Sequence, residues 1–254
     1  MKSIDGLTKI VLIVEYDGTN YYGFQFQASQ PTVQAEIEEA LFKLTGEKRR
    51  IVAASRTDTG VHARGQVVGF RTASNLPVET FVKALNYYLP KDIAVKSAHR
   101  VADSFNVQKD AVSREYRYYI LNSRTRSPLK RYYAYLVPGD LNLEEMNRAC
   151  QALVGERDFA SFVTDYDGVR STIRQVYRAE VRRRNELVIF DMAAKSFLPH
   201  QVRNTVGALL EVGLGRMTLD EFNKIMEAKR PGLAGPAAPA HGLCLLRVNY
   251  QLPF

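Results

Sequence analysis

Apolar residues change their period several times along the chain, and each change marks an element. Residues 9–16 (KIVLIVEY) are continuously apolar and β-branched, the pattern of a strand covered on both faces, and Asp17-Gly18-Thr19-Asn20 ends it. Aromatics and amides alternate over 21–27, which reads as a loop or short extended piece. From Thr32 the spacing becomes helical, with Val33, Ile37, Ala40, Leu41 and Leu44 on one face and Gly46 as the stop. Short strands are expected over 51–54 and 65–70, so the segment between them is a strand-to-strand loop. Pro77, Phe81, Val82, Leu85, Tyr88 and Leu89 make a second amphipathic helix closed by Pro90, and residues 93–97 another strand. Over 112–121 a strand would place Arg114, Tyr116, Tyr118 and Ile120 on one face and Glu115, Arg117, Tyr119 and Leu121 on the other.

The pattern continues with a strand over 132–137 and a turn at Pro138-Gly139-Asp140, where a boundary between domains 1–137 and 138–254 is expected. A helix over 143–154 has Asn142 as N-cap, Glu145 three residues on and Gly155 beyond its end. Residues 173–184 and 187–194 read as a hairpin turning at Asn185-Glu186, although Arg174, Arg178 and Arg182 at a spacing of four would also suit a helix stripe. A fourth helix spans 199–213 with Pro199 in its first turn, and Thr218-Leu219-Asp220-Glu221 is a capping box that opens a fifth, to about 229. Residues 230–242 are too rich in Pro and Gly for either element, and a last strand runs over 244–250. Each half is thus strands with two or three helices, an α+β arrangement of two lobes.

At 254 residues the chain can bury a sizeable core, and 46% hydrophobic with 24% charged residues excludes a disordered tail protein. No run approaches the length that crosses a bilayer, residues 1–6 lack the apolar core of a signal peptide, and two cysteines, Cys150 and Cys244, make no disulfide framework; a cytoplasmic protein with reduced thiols is expected. Histidines at 62, 99, 200 and 241 are scattered, so no metal site is expected. The formal charge of +8 is clustered: residues 114–131 hold Arg114, Arg117, Arg124, Arg126, Lys130 and Arg131 against the single acid Glu115, and residues 170–184 hold six arginines against Glu180. Such clustering points to a polyanion, nucleic acid first, as partner.

Phosphate-loop and dinucleotide-binding motifs are missing, as is a nucleophile elbow. The chemistry concentrates instead in residues 56–66, RTDTGVHARGQ, where Asp58 lies between Arg56 and Arg64. Flanking cations favour the ionised carboxylate. Asp58-Thr59-Gly60 is also the tripeptide of an aspartic protease half-site, but two such carboxylates must share a proton, and cationic neighbours oppose that. An anionic Asp among arginines is then either a structural ion pair or a nucleophile or base.

Arg56-Thr57-Asp58-Thr59-Gly60-Val61-His62-Ala63 resembles the signature of the tRNA pseudouridine synthase A family, with Ser55 where that family usually has glycine. Five further stretches resemble the family in order: 22–27 with 32–34, 114–118, 158–162, 197–204 and 238–245. Pro199, Gln201 and residues 105–108 depart from its usual pattern. The resemblance implies two ferredoxin-like α+β lobes with antiparallel sheets joined across a basic cleft, and conversion of uridine to pseudouridine at positions 38, 39 and 40 of the tRNA anticodon stem-loop. It implies no cofactor and no metal, and a homodimer. Asp58 becomes the catalytic carboxylate, attacking C1′ of the sugar or C6 of uracil, or assisting glycosidic cleavage. Tyr116 would stack on the target base, Arg203 would pair with Asp58, and Arg56 would fill the space left by a flipped base. The competing reading is a basic RNA-binding module without catalysis.

Overall fold

The continuous apolar run forms β1 (Thr8–Tyr16), whose Ile10, Val11, Leu12 and Val14 are fully buried. The computed structural model describes residues 6–164 and 170–251; residues 1–5, part of the stretch examined for a signal peptide, lie outside them. Thr32 caps α1 (Val33–Thr45) by accepting from the Ala35 amide, and Gly46 closes it in the left-handed conformation. β2 (Val52–Ala53) and the longer β3 (His62–Thr72) follow, with the Asp58 loop between them as expected. β3 begins three residues before the predicted strand because His62 to Arg64 continue its ladder against β1. α2 (Val78–Tyr88) and β4 (Ile93–Val101) come next, and β1 pairs antiparallel with both β3 and β4. Phe70 packs against Phe81 on the side of α2, while on the other side Val11, Val67, Ala54 and Val107 form a cluster joined by Val248 and Tyr250. Alternation along the strands places these two sets on opposite faces.

After β5 (Ala111–Leu121) the predicted strand over 132–137 shrinks to β6 (Tyr135–Leu136), which runs parallel to Ile120–Leu121. The reason is a turn: the Lys130 carbonyl accepts from both Tyr133 and Ala134 amides, which leaves nothing for a ladder. α3 (Leu143–Leu153), capped by Asn142 as expected, packs on β8 (Ile173–Arg184), and a short β7 (Gly155–Asp158) that the pattern had not marked pairs with β8. β8 and β9 (Leu187–Ala194) are the expected hairpin, with Asn185 left-handed at its turn, so the arginine stripe belongs to a strand. α4 (Gln201–Gly213) starts two residues later than predicted: His200 adopts a left-handed φ of 57° ahead of it, so Pro199 stands outside the helix. α5 (Leu219–Ala228) has the full Thr218/Glu221 capping box, and β10 (Leu243–Tyr250) ends the described chain.

Contacts divide the chain into two units, one of residues up to Arg114 together with those from Leu245, the other Glu115–Cys244. The division falls inside β5 and β10, whereas the turn at 138–140 had suggested a boundary there. A Pro-Gly-Asp turn is visible locally, but membership of a unit depends on which distant strand a residue pairs with. No helix among the described residues is long and apolar enough to cross a membrane.

Candidate active site

Asp58 stands on a tight turn in the first unit. The Val61 amide donates to the Asp58 carbonyl at 3.1 Å, and Gly60 supplies the positive φ (77°) that such a turn needs. Beneath the turn the preceding residue, Thr57, is buried, and its hydroxyl is 2.7 Å from Tyr16 Oη at the end of β1. Gln66, fully buried on β3, reaches back to Ser55: its Oε1 accepts from the Ser55 amide (3.3 Å) and its Nε2 donates to the Ser55 carbonyl (2.6 Å). One side chain thus substitutes for a strand partner where β2 has ended, and it does so at the residue where a glycine had been expected.

The other flank of the loop is tied by main-chain amides. Phe24 donates to the Thr57 carbonyl (3.0 Å), Gly60 donates to Tyr21 (3.3 Å), and Gly18 donates to His62 Nδ1 (3.1 Å). Gly18 tolerates no side chain, since a Cβ there would lie 2.1 Å from the Val61 carbonyl oxygen. The turn is therefore seated on β1, β3 and the 18–24 segment at once, while Asp58 is half-buried and Arg56, Thr59 and Arg64 are exposed. Thr57, Tyr16 and Gln66 were not singled out from sequence; the only signal was their apolar surroundings, which force buried hydroxyls and amides to find partners.

Tyr116 and Arg203 belong to the second unit. Tyr116 is 5% exposed, and its ring meets Phe197 edge-on at 5.1 Å. Two residues on, Tyr118 Oη donates to the Pro239 carbonyl (2.7 Å), and burial raises its pKa, opposed in part by the charge of Arg203. Arg203, in the first turn of α4, donates from Nε to the Ala238 carbonyl (2.8 Å) and accepts the Ala238 amide at its own carbonyl (3.0 Å). Asn204 donates to the Phe162 carbonyl, Ala234 donates to Ser161, and Gly232 donates to Val163. These bonds bind the long 230–242 loop to α4 and to the 158–162 segment, so three of the stretches noticed in sequence share one framework. Asp58 and Arg56 thus share one loop of the first unit, and Tyr116 and Arg203 share this framework of the second.

Not every arginine of the two clusters is available to a polyanion. Arg114 is buried and donates to the main-chain carbonyls of Ala54 (3.0 Å) and Gln108 (2.8 Å), which makes it an internal pin. On the opposite face of β5, Arg117 grips Asp191 through both Nε (2.6 Å) and a terminal nitrogen (3.1 Å), Arg182 adds a further ion pair to Asp191, and Arg178 bridges Glu115 and Glu180. Burial would push the Asp191 carboxyl up, but hydrogen bonds from Arg117 and Arg182 outweigh it and hold the group below the usual carboxylate range. Arg124 and Arg126 with Arg183 and Arg184 stay exposed. Burial pushes the Cys150 thiol up to about 12, in keeping with an unactivated cysteine.

A family model described as tRNA pseudouridine synthase matches residues 12–108 and 149–251. Arg56 and Asp58 fall in the first matched stretch and Arg203 in the second, with Tyr116 between them. The tRNA pseudouridine synthase A of an Exiguobacterium species is 43% identical over 245 residues, covering 96% of this chain and 99% of its own. Those of a Thermoanaerobacter species (40% over 244 residues, 96% and 100% covered) and of Geobacter sulfurreducens (43% over 241 residues, 95% and 99% covered) are similar to the same extent. The aspartic protease and the non-catalytic module are favoured by neither comparison.

Proposed function

The chain belongs to the tRNA pseudouridine synthase family, and from that membership we infer that it isomerises uridine to pseudouridine in tRNA. The observation that carries this reading is identity of 43% over 96% of the chain to an enzyme of that name. In the reaction the N1–C1′ bond breaks, the uracil turns, and a C5–C1′ bond forms; the C5 proton leaves to solvent and N1 gains one. We propose positions 38, 39 and 40 of the anticodon stem-loop as the targets and Asp58 as the carboxylate that engages the nucleoside, at C1′ or C6 or by assisting cleavage. Its seat supports the role: a carboxylate on a turn fixed from two sides meets its target with little reorganisation.

Reaching a base in a stem requires flipping it out, at a cost of a few kcal/mol that contacts elsewhere offset. In this reading Tyr116 is the platform for the extruded base, already held edge-on by Phe197. Arg203 orients Asp58, and exposed Arg56 fills the gap in the stack. Phosphate contacts fall to Arg124, Arg126, Arg183 and Arg184, whose side chains reach solvent. We also propose a cytoplasmic homodimer, which light scattering of the purified protein would test by returning the mass of two chains.

The decisive experiment incubates the protein with tRNA labelled at uridine C5 with tritium and counts label released to water. Wild type should release it, and Asp58→Asn should release none while still binding tRNA. Full turnover by Asp58→Asn would remove Asp58 from the mechanism.

A further inference from the structure

A cavity of about 410 Å³ opens in the first unit, away from the Asp58 turn. Lys9, Lys48, Arg49, Arg50 and Arg71 line it, together with Gly69 and Asn106, and none of its lining residues is acidic. Three of these cations have carboxylate partners outside the lining: Arg49 with Glu47, Arg50 with Glu38 and Arg71 with Asp103. Lys9 donates to the Asp103 main-chain carbonyl, Lys48 lies 5.9 Å from the Phe42 ring centroid, and among the described residues neither lysine has a carboxylate partner. Five cations against three carboxylates leave an excess of two, facing an open concavity. The Lys48-Arg49-Arg50 run, which joins α1 to β2, had not entered either basic cluster noticed in sequence.

The register fixes its place. Lys9 pairs with Arg71 at one end of the β1/β3 ladder, and Tyr16 pairs with Ala63 at the other, next to the Asp58 loop. Eight residues of β3 separate the ends, roughly 25 Å of strand. At the roughly 3.4 Å per nucleotide of B-form DNA that span is about seven steps, and the shorter rise of A-form RNA makes it more, beyond the short stem that closes a hairpin around the reacting loop. We propose that this cavity is a second RNA site, which takes backbone phosphodiesters of the tRNA body beyond the anticodon stem, with Lys9 and Lys48 as its principal contacts. The proposal rests on tRNA being the substrate.

The test compares Lys9→Gln/Lys48→Gln with wild type on full-length tRNA and on an isolated anticodon stem-loop, by tritium release and by fluorescence anisotropy across a salt series. Two lost phosphate contacts should flatten the slope of log affinity against log salt by about two for full-length tRNA and raise its KM about ten-fold, with kcat intact. The stem-loop should be handled as by wild type, and Lys9→Arg/Lys48→Arg should restore full-length binding. An unchanged KM and slope on full-length tRNA would overturn the proposal, as would an equal loss on both RNAs. If wild type were inactive on both RNAs, the functional reading would fail, while the anisotropy slopes would still decide the cavity.

Discussion

The seat of Asp58 makes Tyr16→Phe an informative perturbation. The substitution keeps the ring, which is 3% exposed and packs 6.1 Å from Phe24, and deletes only the hydroxyl, which meets Thr57 Oγ1 at 2.7 Å and accepts from Gln66 Nε2 at 3.4 Å. Thr57 is 6% exposed, so its hydroxyl loses that partner where water does not readily replace it. A group stranded in this way costs about 1–3 kcal/mol. Because Gln66 retains its bonds to Ser55, the lower half of that range is expected, about 1–2 kcal/mol. Thr57→Val removes the other hydroxyl with little change of volume, so the double variant should cost less than the sum of the singles, with a coupling of about 1 kcal/mol. Thr57 is the residue before Asp58, and a carboxylate displaced by a fraction of an ångström should lower kcat by about 10- to 100-fold while KM changes little. Urea unfolding gives the stability terms and tritium release gives kcat. A Tyr16→Phe enzyme that is destabilised yet turns over at the wild-type rate would refute the idea that this hydroxyl pair positions Asp58. One with unaltered stability would refute the hydrogen bond itself.

Other expectations follow from the same geometry. In α4, a Cβ at Gly207 would lie 2.3 Å from the Pro236 carbonyl oxygen, so Gly207→Ala should push the 230–242 loop outward and cost about 2 kcal/mol in thermal unfolding, although alanine is the better helix former. Asp191→Asn should destabilise by about 3 kcal/mol, because Arg117 and Arg182 lose their shared anion. Since the folded Asp191 pKa is depressed, its stabilisation is complete above the ordinary aspartate pKa of about 4 and vanishes as pH falls through the lower folded value. Acid titration of stability should accordingly be shallower in the variant below about pH 4. Thr218→Ala should cost about 1 kcal/mol by removing the α5 cap, read as a lower unfolding midpoint with unaltered kcat.

What could be read from the chain, and what could not, separates by range. Caps and periods are local, so Thr32, Asn142 and the Thr218/Glu221 pair marked helix starts that the structure keeps. The run 132–137 looked equally strand-like, but Lys130 folds it into a turn and only two residues pair. Charge misled in the same way. Arg114 and Arg178 read as phosphate contacts because their distant partners, Ala54 and Glu115, lie about 60 residues away in sequence. The loop that carries Asp58 was visible between two strands, yet nothing local says that Tyr16, Gln66 and Gly18 hold it, since each bond closes a separation of at least 11 residues. Buried polar pairing is a property of the closed fold.

The assignment of β10 from Leu245 onward to the first unit has a consequence for how the protein is made. Val248 and Tyr250 cover the Val11, Val67 and Val107 cluster, Asn249 holds Ser113, and Gly65 lies against the main chain of Leu246. During synthesis at about 5–20 residues per second, the stretch between Arg114 and Leu245 takes roughly 7–26 s to emerge. For that interval the first unit waits on the ribosome with an apolar face uncovered, while the strands of Glu115–Cys244 emerge one by one. Both units should therefore close at nearly the same moment, once the last strand has emerged, and the waiting face is where a chaperone would be expected to sit.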